Sequence, residues 1–449
     1  MALTESDRIS LRRDLHRRPE PAWCEFYTTA RLAEELKSQL DLDALHVGPD
    51  AIAGDHRMAV PDEAELAYWY DRAREADHRM AVPDEAELAY WYDRAREAGV
   101  DEAVLESLEG GYTGLVAVLE RGEGPTVGLR VDIDGLPVEE SDDAAHEPAA
   151  EGFRSEYEGA MHACGHDAHA TIGVGVLERI AESGEFSGTL KVFFQPAEEV
   201  VGGGKSMAKS DHIQDVDHLL ALHIGLDHPT GEIVAGIDGF LAVRHLEAEF
   251  TGESSHAGGH PEQGRNAVQA MATAVQNLYG IPRHNDGKTR VNAGVVEGGT
   301  AANVIPEEAR ILAEVRGETT ELMEYMHSKA RHVVRSAAEM HECTVDFAIG
   351  AEAPSATSDQ ELVDIVADVA GRTEGVERVL ERDELGGSED ATFLMQAVQE
   401  NGGTACYVGI GTDHPGGHHT PTFDVDEASV AHGVDVIAGT IERIGQRGF

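Results

Sequence analysis

Residues 126–137 read TVGLRVDIDGLP, a continuous apolar run that ends in two carboxylates. The same scheme returns in KVFFQPAEE at 191–199 and in HLLALHIG at 218–225. Short apolar runs of this kind predict buried strands, and open α/β sheets build their sites at the carboxyl ends of such strands. The polar residues delivered by these three strand ends are Asp132, Asp134, Glu198, Glu199 and His223. The sequence therefore predicts an α/β domain with a polar site at one edge of its sheet.

A second segment, MHACGHDAH at 161–169, is dense in residues that bind metals. Cys164 and His166 stand two positions apart, so a bent loop can direct both side chains toward one ion. Metals bind Cys as the thiolate and His through one free nitrogen of the neutral ring. Asp167 could orient one of these ligands from behind. The alternative is a surface loop with chance histidines, but the density of donor residues favours a metal site.

The pattern changes near residue 240, where strand and helix signals follow in the order βαββαβ up to residue 350. This order is typical of one antiparallel sheet with two helices on one face. After residue 351 the alternating α/β pattern resumes. We therefore expect an α/β domain built from residues 1–239 and 351–449, interrupted by a smaller α+β domain at 240–350.

Residues 55–76 recur without a single change at 77–98. Each copy has a proline near the predicted helix start, then acidic residues and an apolar stripe at helical spacing. Two copies are too few for a stacked repeat architecture. We interpret residues 55–98 as a tandem helical insertion that arose by local duplication.

The chain of 449 residues carries 84 Asp and Glu against 35 Lys and Arg, a formal net charge of −49. The acidic residues are spread along the whole chain, which argues against a disordered acidic tail and against nucleic-acid binding. We interpret the excess as a surface adapted to high salt, with an ordinary acidic protein as the alternative.

The cysteine content and the hydropathy of the sequence indicate the expected cellular location of the protein. The four cysteines lie far apart in sequence, so we expect no disulfide framework, which suits a cytoplasmic protein. No run of eighteen apolar residues exists, and the first twenty residues lack the apolar segment of a signal peptide. Neither a membrane span nor secretion is therefore expected.

Taken together, these segments resemble the aminoacylase/glutamate-carboxypeptidase superfamily of co-catalytic metallopeptidases, in the amidohydrolase branch that carries a Cys ligand. The matching motifs follow in the right order over almost the whole chain: RVDIDGLP, MHACGHDAH, QPAEE, ALHIG, TGESSHAGGHPEQGRNA, NVIP, GGSEDATF and HHTPTFDVDE. Within that branch the insertion RMAVPDEAEL and the segments TRVN and GSEDAT are most similar to the A subunits of aminobenzoyl-glutamate hydrolases. The second copy of the insertion departs from that pattern. The resemblance implies that the α/β domain is catalytic and that residues 240–350 form a lid and dimerisation domain.

Residue by residue, the resemblance implies a site for two divalent ions, Zn or Mn, with Co also possible. The implied metal ligands are Cys164, His166, Glu199, His223 and His419. In HHTPTF the second histidine matches the ligand, so His418 is not expected to bind metal. Glu198 matches the general base that precedes the ligand Glu. Asp132 and Asp134 occupy positions where other branches carry a metal-binding His and its orienting Asp, and here we expect them to support the ligands.

Three residues of the lid match groups that touch the substrate: His256, Asn303 and Arg316. His256 would stabilise the oxyanion of the tetrahedral intermediate. Arg316 would bind the carboxylate of the amino-acid part, and Asn303 would bind the same group or the amide. The alternative for Arg316 is a strand residue that forms a salt bridge.

The implied activity is hydrolysis of an amide between an acyl or aroyl group and an amino acid, with aminobenzoyl-glutamate as the leading substrate. Glu198 would take a proton from a metal-activated water and deliver it to the leaving nitrogen. One alternative is a broader N-acyl-amino-acid amidohydrolase of the hippurate or indole-acetyl-amino-acid type. The other is a catalytically silent subunit of a hetero-oligomer. The implied partners are a second copy in a homodimer or a paralogous B subunit.

We expect the chain to lose structure below molar salt, because a net charge of −49 repels itself unless it is screened. The Debye length falls to about 3 Å at 1 M salt and rises to about 30 Å at 0.01 M. Circular dichroism across a salt titration measures this, with sucrose at matched osmolarity as the control. A fold that stays unchanged in dilute buffer would contradict the high-salt interpretation.

Overall fold

The computed structural model describes residues 5–60, 95–96 and 99–447. The chain divides into two compact units. The first comprises Met1–Asp238, Thr357–Leu385 and Asp390–Phe449, and the second comprises Gly239–Ala356 and Gly386–Glu389. The second unit extends past the expected limit at residue 350 because its last strand continues to Ala353. Most of the insertion expected at 55–98 lies outside the described residues, and so does the helix predicted in each copy.

The described residues form strands and helices in the following order. The strands are β1 (Ala44–Val47), β2 (Leu115–Glu120), β3 (Thr126–Asp132), β4 (Thr189–Gln195), β5 (His218–Ile224), β6 (Glu232–Val234), β7 (Ile237–Asp238), β8 (Ala242–Thr251), β9 (Ser255–His256), β10 (Thr289–Gly298), β11 (Val304–Ile305), β12 (Glu308–Gly317), β13 (Thr344–Ala353), β14 (Arg378–Leu380), β15 (Asp383–Glu384) and β16 (Thr404–Ile410). The helices are α1 (Glu5–His16), α2 (Phe26–Gln39), α3 (Glu102–Ser107), α4 (Glu147–Glu151), α5 (His166–Ser183), α6 (Gly204–Ala208), α7 (Ala267–Leu278), α8 (Thr320–Met340), α9 (Gln360–Ala370), α10 (Ala391–Glu400) and α11 (Ala428–Arg447).

The first unit is built on an eight-stranded sheet with the strand order β1-β2-β4-β3-β5-β16-β6-β14. Its four central strands, β4, β3, β5 and β16, run parallel to one another. These strands are buried along nearly their whole length, as the uninterrupted apolar runs predict. Helix α5 lies on the sheet and packs against α1 and α11. The expected α/β fold is therefore confirmed, and the four parallel strands end at the same edge.

The second unit is a four-stranded antiparallel sheet with the order β10-β12-β8-β13. Along β12 buried residues alternate with less buried ones, so one face of the strand is covered. Helices α7 and α8 cover that face and share a core with it. The predicted βαββαβ order is confirmed. The two-residue strands β9 and β11 were not predicted, because two residues are too short for a periodic signal.

No helix of the described ranges 5–60, 95–96 and 99–447 is long and apolar enough to cross a membrane.

A buried arginine near the chain start ties the first unit together. Arg12 in α1 is 1% exposed, and its Nε donates to Asp167 Oδ2 at 2.8 Å. The same guanidinium donates to Asp424, and its Nη1 donates to Glu427 Oε1 at 3.4 Å. Asp167 lies in the first turn of α5, and the other two acids lie just before α11. Arg12 therefore links three chain segments that are far apart in sequence.

We predict that Arg12→Ala lowers the free energy of unfolding by about 3–5 kcal/mol, because the buried carboxylates that remain lose their counter-charge. Denaturant titration in constant high salt measures the loss. The control is Arg372→Ala, which removes an exposed pair with Asp368 and should cost no more than about 1 kcal/mol. Equal effects of the two substitutions would contradict this account of Arg12.

Candidate metal centre

Polar side chains follow the carboxyl ends of the four central parallel strands. Asp132 ends β3, His223 lies next to the end of β5, and Glu198 follows three residues after β4. The segment that contains His419 follows β16. Because parallel strands end at one edge of the sheet, these side chains collect there.

The turn before α5 brings Cys164 to the same edge. Gly165 has a φ of +88°, and a Cβ atom at this position would lie 2.6 Å from Ile224 Cγ2. Both the backbone conformation and the close approach therefore require glycine. Helix α5 begins directly after it, at His166. The bent loop expected over 161–169 thus ends at Gly165, and His166 projects from the first helical turn.

Five of the predicted ligands come together. The ligand atoms of Cys164, His166 and His223 lie within 4.8 Å of one another, as do those of Cys164, Glu199 and His419. Cys164 Sγ lies 3.4 Å from His223 Nε2. Glu199 lies between the two remaining histidines, with Oε1 3.7 Å from His166 Nε2 and Oε2 3.5 Å from His419 Nε2. The two groups share Cys164, so these side chains would provide donors for more than one metal ion.

Hydrogen bonds fix the tautomers of two of these histidines. His166 donates from Nδ1 to the carbonyl of Asp134 at 2.9 Å, and His223 donates from Nδ1 to the carbonyl of Ile224 at 2.7 Å. In its neutral form each ring therefore presents the lone pair of Nε2 to the centre. Within the part of the chain that is described, His166 Nε2 and Glu199 Oε1 are buried without a hydrogen-bond partner. Buried acceptors of this kind fit a bound cation.

The pKa shifts at the site also indicate that it can bind a cation. Burial, and then the neighbouring carboxylate of Glu199, raises the pKa of the Cys164 thiol well above its usual range. Burial also raises the pKa of Glu199 to about 8. Burial alone would lower the pKa of His166, but Asp132 and Asp134 raise it to about 10. The protein thus gathers anionic groups that favour a proton or a metal cation as counter-charge.

Asp132 and His169 form a supporting pair behind these ligands. His169 Nδ1 is hydrogen-bonded to Asp132 Oδ1, and its Nε2 accepts the backbone N–H of Ile224 at 2.8 Å. Both ring nitrogens are therefore engaged, so His169 cannot bind an ion in this arrangement. The other oxygen of Asp132 accepts from Arg130 Nη1 at 2.7 Å. The supporting role of His169 was not predicted. Its position three residues after His166 places both rings on one face of α5 and could have indicated that role.

Asp134 and Asp167, both expected to support the ligands, differ in what they contact. Asp134 Oδ2 accepts the backbone N–H of Glu199 at 3.0 Å. Asp167 Oδ2 accepts from Arg12 and from His16 Nδ1, the latter at 2.9 Å. Asp167 therefore anchors α5 to α1, and among the described residues these two hydrogen bonds reach no proposed ligand.

Glu198 lies beside the ligands on a strained turn. Its side chain is 12% exposed, and Oε2 lies 3.9 Å from His166 Nε2. The preceding residue, Ala197, has a φ of +54°, an uncommon conformation for a residue with a side chain. The backbone N–H of Ala197 donates to Glu25 Oε1 at 2.7 Å, and Glu25 is fully buried. Glu25 thus holds the turn that aims Glu198, a role that its position in sequence did not reveal.

His256 and Asn303 are neighbours in the second unit. His256 on β9 pairs with Val304 on β11, and the Asn303 carbonyl accepts the backbone N–H of Ala257. The backbone N–H groups of Gly258 and Gly259 donate to His256 Nδ1 at 3.1 and 3.0 Å. Because Nδ1 is an acceptor, the neutral ring carries its proton on Nε2. That nitrogen is then a hydrogen-bond donor.

Arg316 forms the salt bridge that was the alternative to a substrate contact. Its Nε and Nη2 donate to the two oxygens of Glu314, at 2.9 and 3.0 Å. Both residues lie on the less buried face of β12. A substrate carboxylate would therefore have to use Nη1 or displace Glu314.

His418 also lies at the centre. Its Nδ1 is 3.6 Å from Cys164 Sγ, and burial, followed by the neighbouring His414, lowers the pKa of His418 to about 3. The ring packs against His223 and Phe423, with centroids 5.3 and 4.7 Å away. The motif HHTPTF excluded His418 as a ligand but gave it no other role.

A parallel sheet that gathers Cys, His and Glu donors at one edge, with an acid beside them and a separate α+β unit inserted, defines a metal-dependent hydrolase. The chain belongs to the peptidase family M20/M25/M40, whose family model matches residues 128–443. It is therefore a hydrolase that acts on amide bonds.

The chain is also similar to individual members. It is 41% identical over 434 residues to indole-3-acetyl-aspartic acid hydrolase of Enterobacter agglomerans, covering 96% of this chain and 94% of that one. It is 38% identical over 433 residues to the A subunit of p-aminobenzoyl-glutamate hydrolase of Escherichia coli, with the same coverage. The crystal structure of an aminobenzoyl-glutamate utilization protein from Klebsiella pneumoniae matches with a TM-score of 0.78 and 33% identity. That match covers 98% of this chain and 96% of the other.

We predict that Cys164→Ala loses bound metal, whereas Cys164→Asp retains most of it, because an anionic donor is kept between the two groups. Metal content after dialysis against metal-free buffer measures both variants. Cys343→Ala, which removes a buried thiol of the second unit, is the control and should match the unaltered chain. A Cys164→Ala variant that still held two ions would show that Cys164 is not a ligand.

Proposed function

We propose that the chain hydrolyses the amide bond between an aromatic acyl group and an acidic amino acid, using two bound divalent ions. The observation that carries this proposal is the complete donor set beside Glu198. The proposed ligands are Cys164, His166, Glu199, His223 and His419. Zn and Mn both suit this mixture of donors, and Co is a further candidate.

When bound, the ions supply Lewis acidity that activates a water and polarises the scissile carbonyl. Glu198 is the proposed general base because its carboxylate lies beside the ligands and is partly exposed. It accepts the proton of the attacking water and delivers it to the leaving nitrogen. The fixed turn at Ala197 aims the carboxylate, so little reorganisation is needed during the reaction.

Two residues of the second unit are proposed to bind the substrate. His256 carries its proton on Nε2, as an oxyanion donor requires, because two backbone N–H groups occupy Nδ1. Asn303, next to it, offers an amide for the substrate carboxylate or amide. Arg316 is the weaker proposal, since Glu314 already occupies two of its nitrogens.

The substrate class rests on the names of two relatives. One is named for indole-3-acetyl-aspartate and the other for p-aminobenzoyl-glutamate. Both compounds join an aromatic acyl group to an acidic amino acid. Aminobenzoyl-glutamate is the proposed substrate. Because the identity to the indole-acetyl-aspartate hydrolase is also high, a broader arylacetyl or aroyl amino-acid hydrolase is the second candidate.

The assembly and the compartment also belong to the proposal. We favour a homodimer. The alternative is a complex with a paralogous B subunit, because one relative is named as the A subunit of its enzyme. A catalytically silent role in such a complex is disfavoured, since the donor set and Glu198 are both present. Four free cysteines support a cytoplasmic location.

We expect the purified single chain, loaded with Mn or Zn at multimolar salt, to release the amino acid from p-aminobenzoyl-glutamate and indole-3-acetyl-aspartate. N-acetyl-glutamate in the same panel tests the aromatic acyl group, and hippurate and p-aminobenzoyl-glutamine test the acidic side chain. Glu198→Gln is the matched control. It should keep both ions and lose activity by about 10²–10⁴-fold.

Two results would reject parts of the proposal. No turnover of any panel member by the metal-loaded chain would reject independent activity and favour a silent subunit. Equal turnover of the glutamate and glutamine amides would reject recognition of an acidic amino acid.

A further inference from the structure

We propose that His418 donates a hydrogen bond from Nδ1 to the Cys164 thiolate and so acts as a positioning residue for the sulfur that belongs to both donor groups. The inference deepens the metal centre proposed above and rests on it.

The tautomer of His418 follows from one backbone contact. The N–H of Leu226 donates to His418 Nε2 at 3.2 Å. A backbone N–H can only donate, so Nε2 must supply a lone pair and the neutral ring must carry its proton on Nδ1. That proton lies on the side of Cys164, whose Sγ is 3.6 Å away, a hydrogen-bond distance for sulfur. A protonated Nδ1 cannot bind an ion, so the same contact excludes His418 as a ligand.

The backbone around Leu226 is shaped to make this contact. Gly225 and Leu226 both have positive φ angles, +87° and +53°, which turn the chain sharply after β5. A Cβ atom on Gly225 would lie 2.6 Å from His418 Nε2. Any other residue at 225 would therefore displace the ring. Phe423 packs on the ring with its centroid 4.7 Å away and limits its rotation.

His418 is oriented opposite to the proposed ligands. His166 and His223 donate from Nδ1 to backbone carbonyl groups, so their Nε2 lone pairs face the centre. His418 accepts the backbone N–H of Leu226 at Nε2, so its Nδ1–H faces the sulfur of Cys164. The Cys164 thiolate thus faces the Nε2 lone pair of His223, a contact that is favourable only with a cation between the two atoms. It also faces the Nδ1–H of His418, which can donate to the sulfur directly. An N–H directed at a thiolate stabilises the anionic form, which is the form that binds metal.

The test replaces the ions by Co(II), whose absorption includes a sulfur-to-metal charge-transfer band. Asn at 418 can place its amide N–H near the position of Nδ1 and keep the donor. Gln can reach the position of Nε2 and accept from Leu226, but places no donor near Sγ. His418→Asn and His418→Gln therefore form a matched pair, and His414→Asn in the same cluster is the control for altered packing. Far-ultraviolet circular dichroism checks that each variant folds.

We expect every variant to bind two Co(II) per chain at saturation. In H418Q the charge-transfer band should move to lower energy, because the sulfur lone pairs lose the N–H that stabilises them. Its Kd for Co(II) should rise about 10–100-fold, the usual cost of removing a group that supports a ligand. H418N and H414N should keep the band position of the unaltered chain and a Kd within about threefold.

Three outcomes would overturn the inference. An unchanged band and Kd in H418Q would show that no hydrogen bond reaches the sulfur. Loss of one Co(II) per chain in both 418 variants would make His418 a ligand. Failure of the unaltered chain to bind Co(II) would refute the metal centre itself, and the inference with it. The first two results leave the proposed function standing, so the failures can be told apart.

Discussion

Buried negative charge at the sheet edge is the constraint on which the rest of the first unit depends. A buried carboxylate needs a compensating charge or proton, because desolvation costs several kcal/mol. The protein supplies that charge for two of them: Arg130 to Asp132, and Arg12 with His16 to Asp167. Burial, and then the charge of Asp134, raises the pKa of Glu25 to about 8. Glu199 and Cys164 are left for a bound cation.

The supporting hydrogen bonds then decide which atoms face that cation. Carbonyl groups take the Nδ1 protons of His166 and His223, so both rings offer Nε2. The backbone N–H groups of Ile224 and Leu226 take the Nε2 lone pairs of His169 and His418, so these two rings offer no lone pair to an ion. Two backbone N–H groups at the end of β5 thus determine which histidine rings can bind an ion and which rings only support the ligands. Ring identity alone would not distinguish the four histidines.

The sequence predicted what is encoded in long patterns and in local motifs. The apolar runs predicted β3, β4 and β5, and Glu198 and Glu199 stand together after β4. Glu25 and Arg12 could not be found in this way, because their partners Ala197 and Asp424 lie 172 and 412 residues away in sequence. A salt bridge of Arg316 was among the alternatives, but the sequence did not identify Glu314 as its partner. Choosing between a salt bridge and a substrate contact for Arg316 required its side-chain conformation, which sequence periodicity does not encode.

High salt and metal binding place different demands on the same chain. A net charge of −49 would attract divalent cations over long distances in dilute buffer, whereas at molar salt that attraction is screened within about 3 Å. Metal–ligand bonds of about 2.0–2.3 Å are shorter than this length and are little affected. At molar salt the site would therefore gain nothing from the surface charge of the chain. The donor set and the hydrogen bonds that orient it would then have to supply the affinity alone.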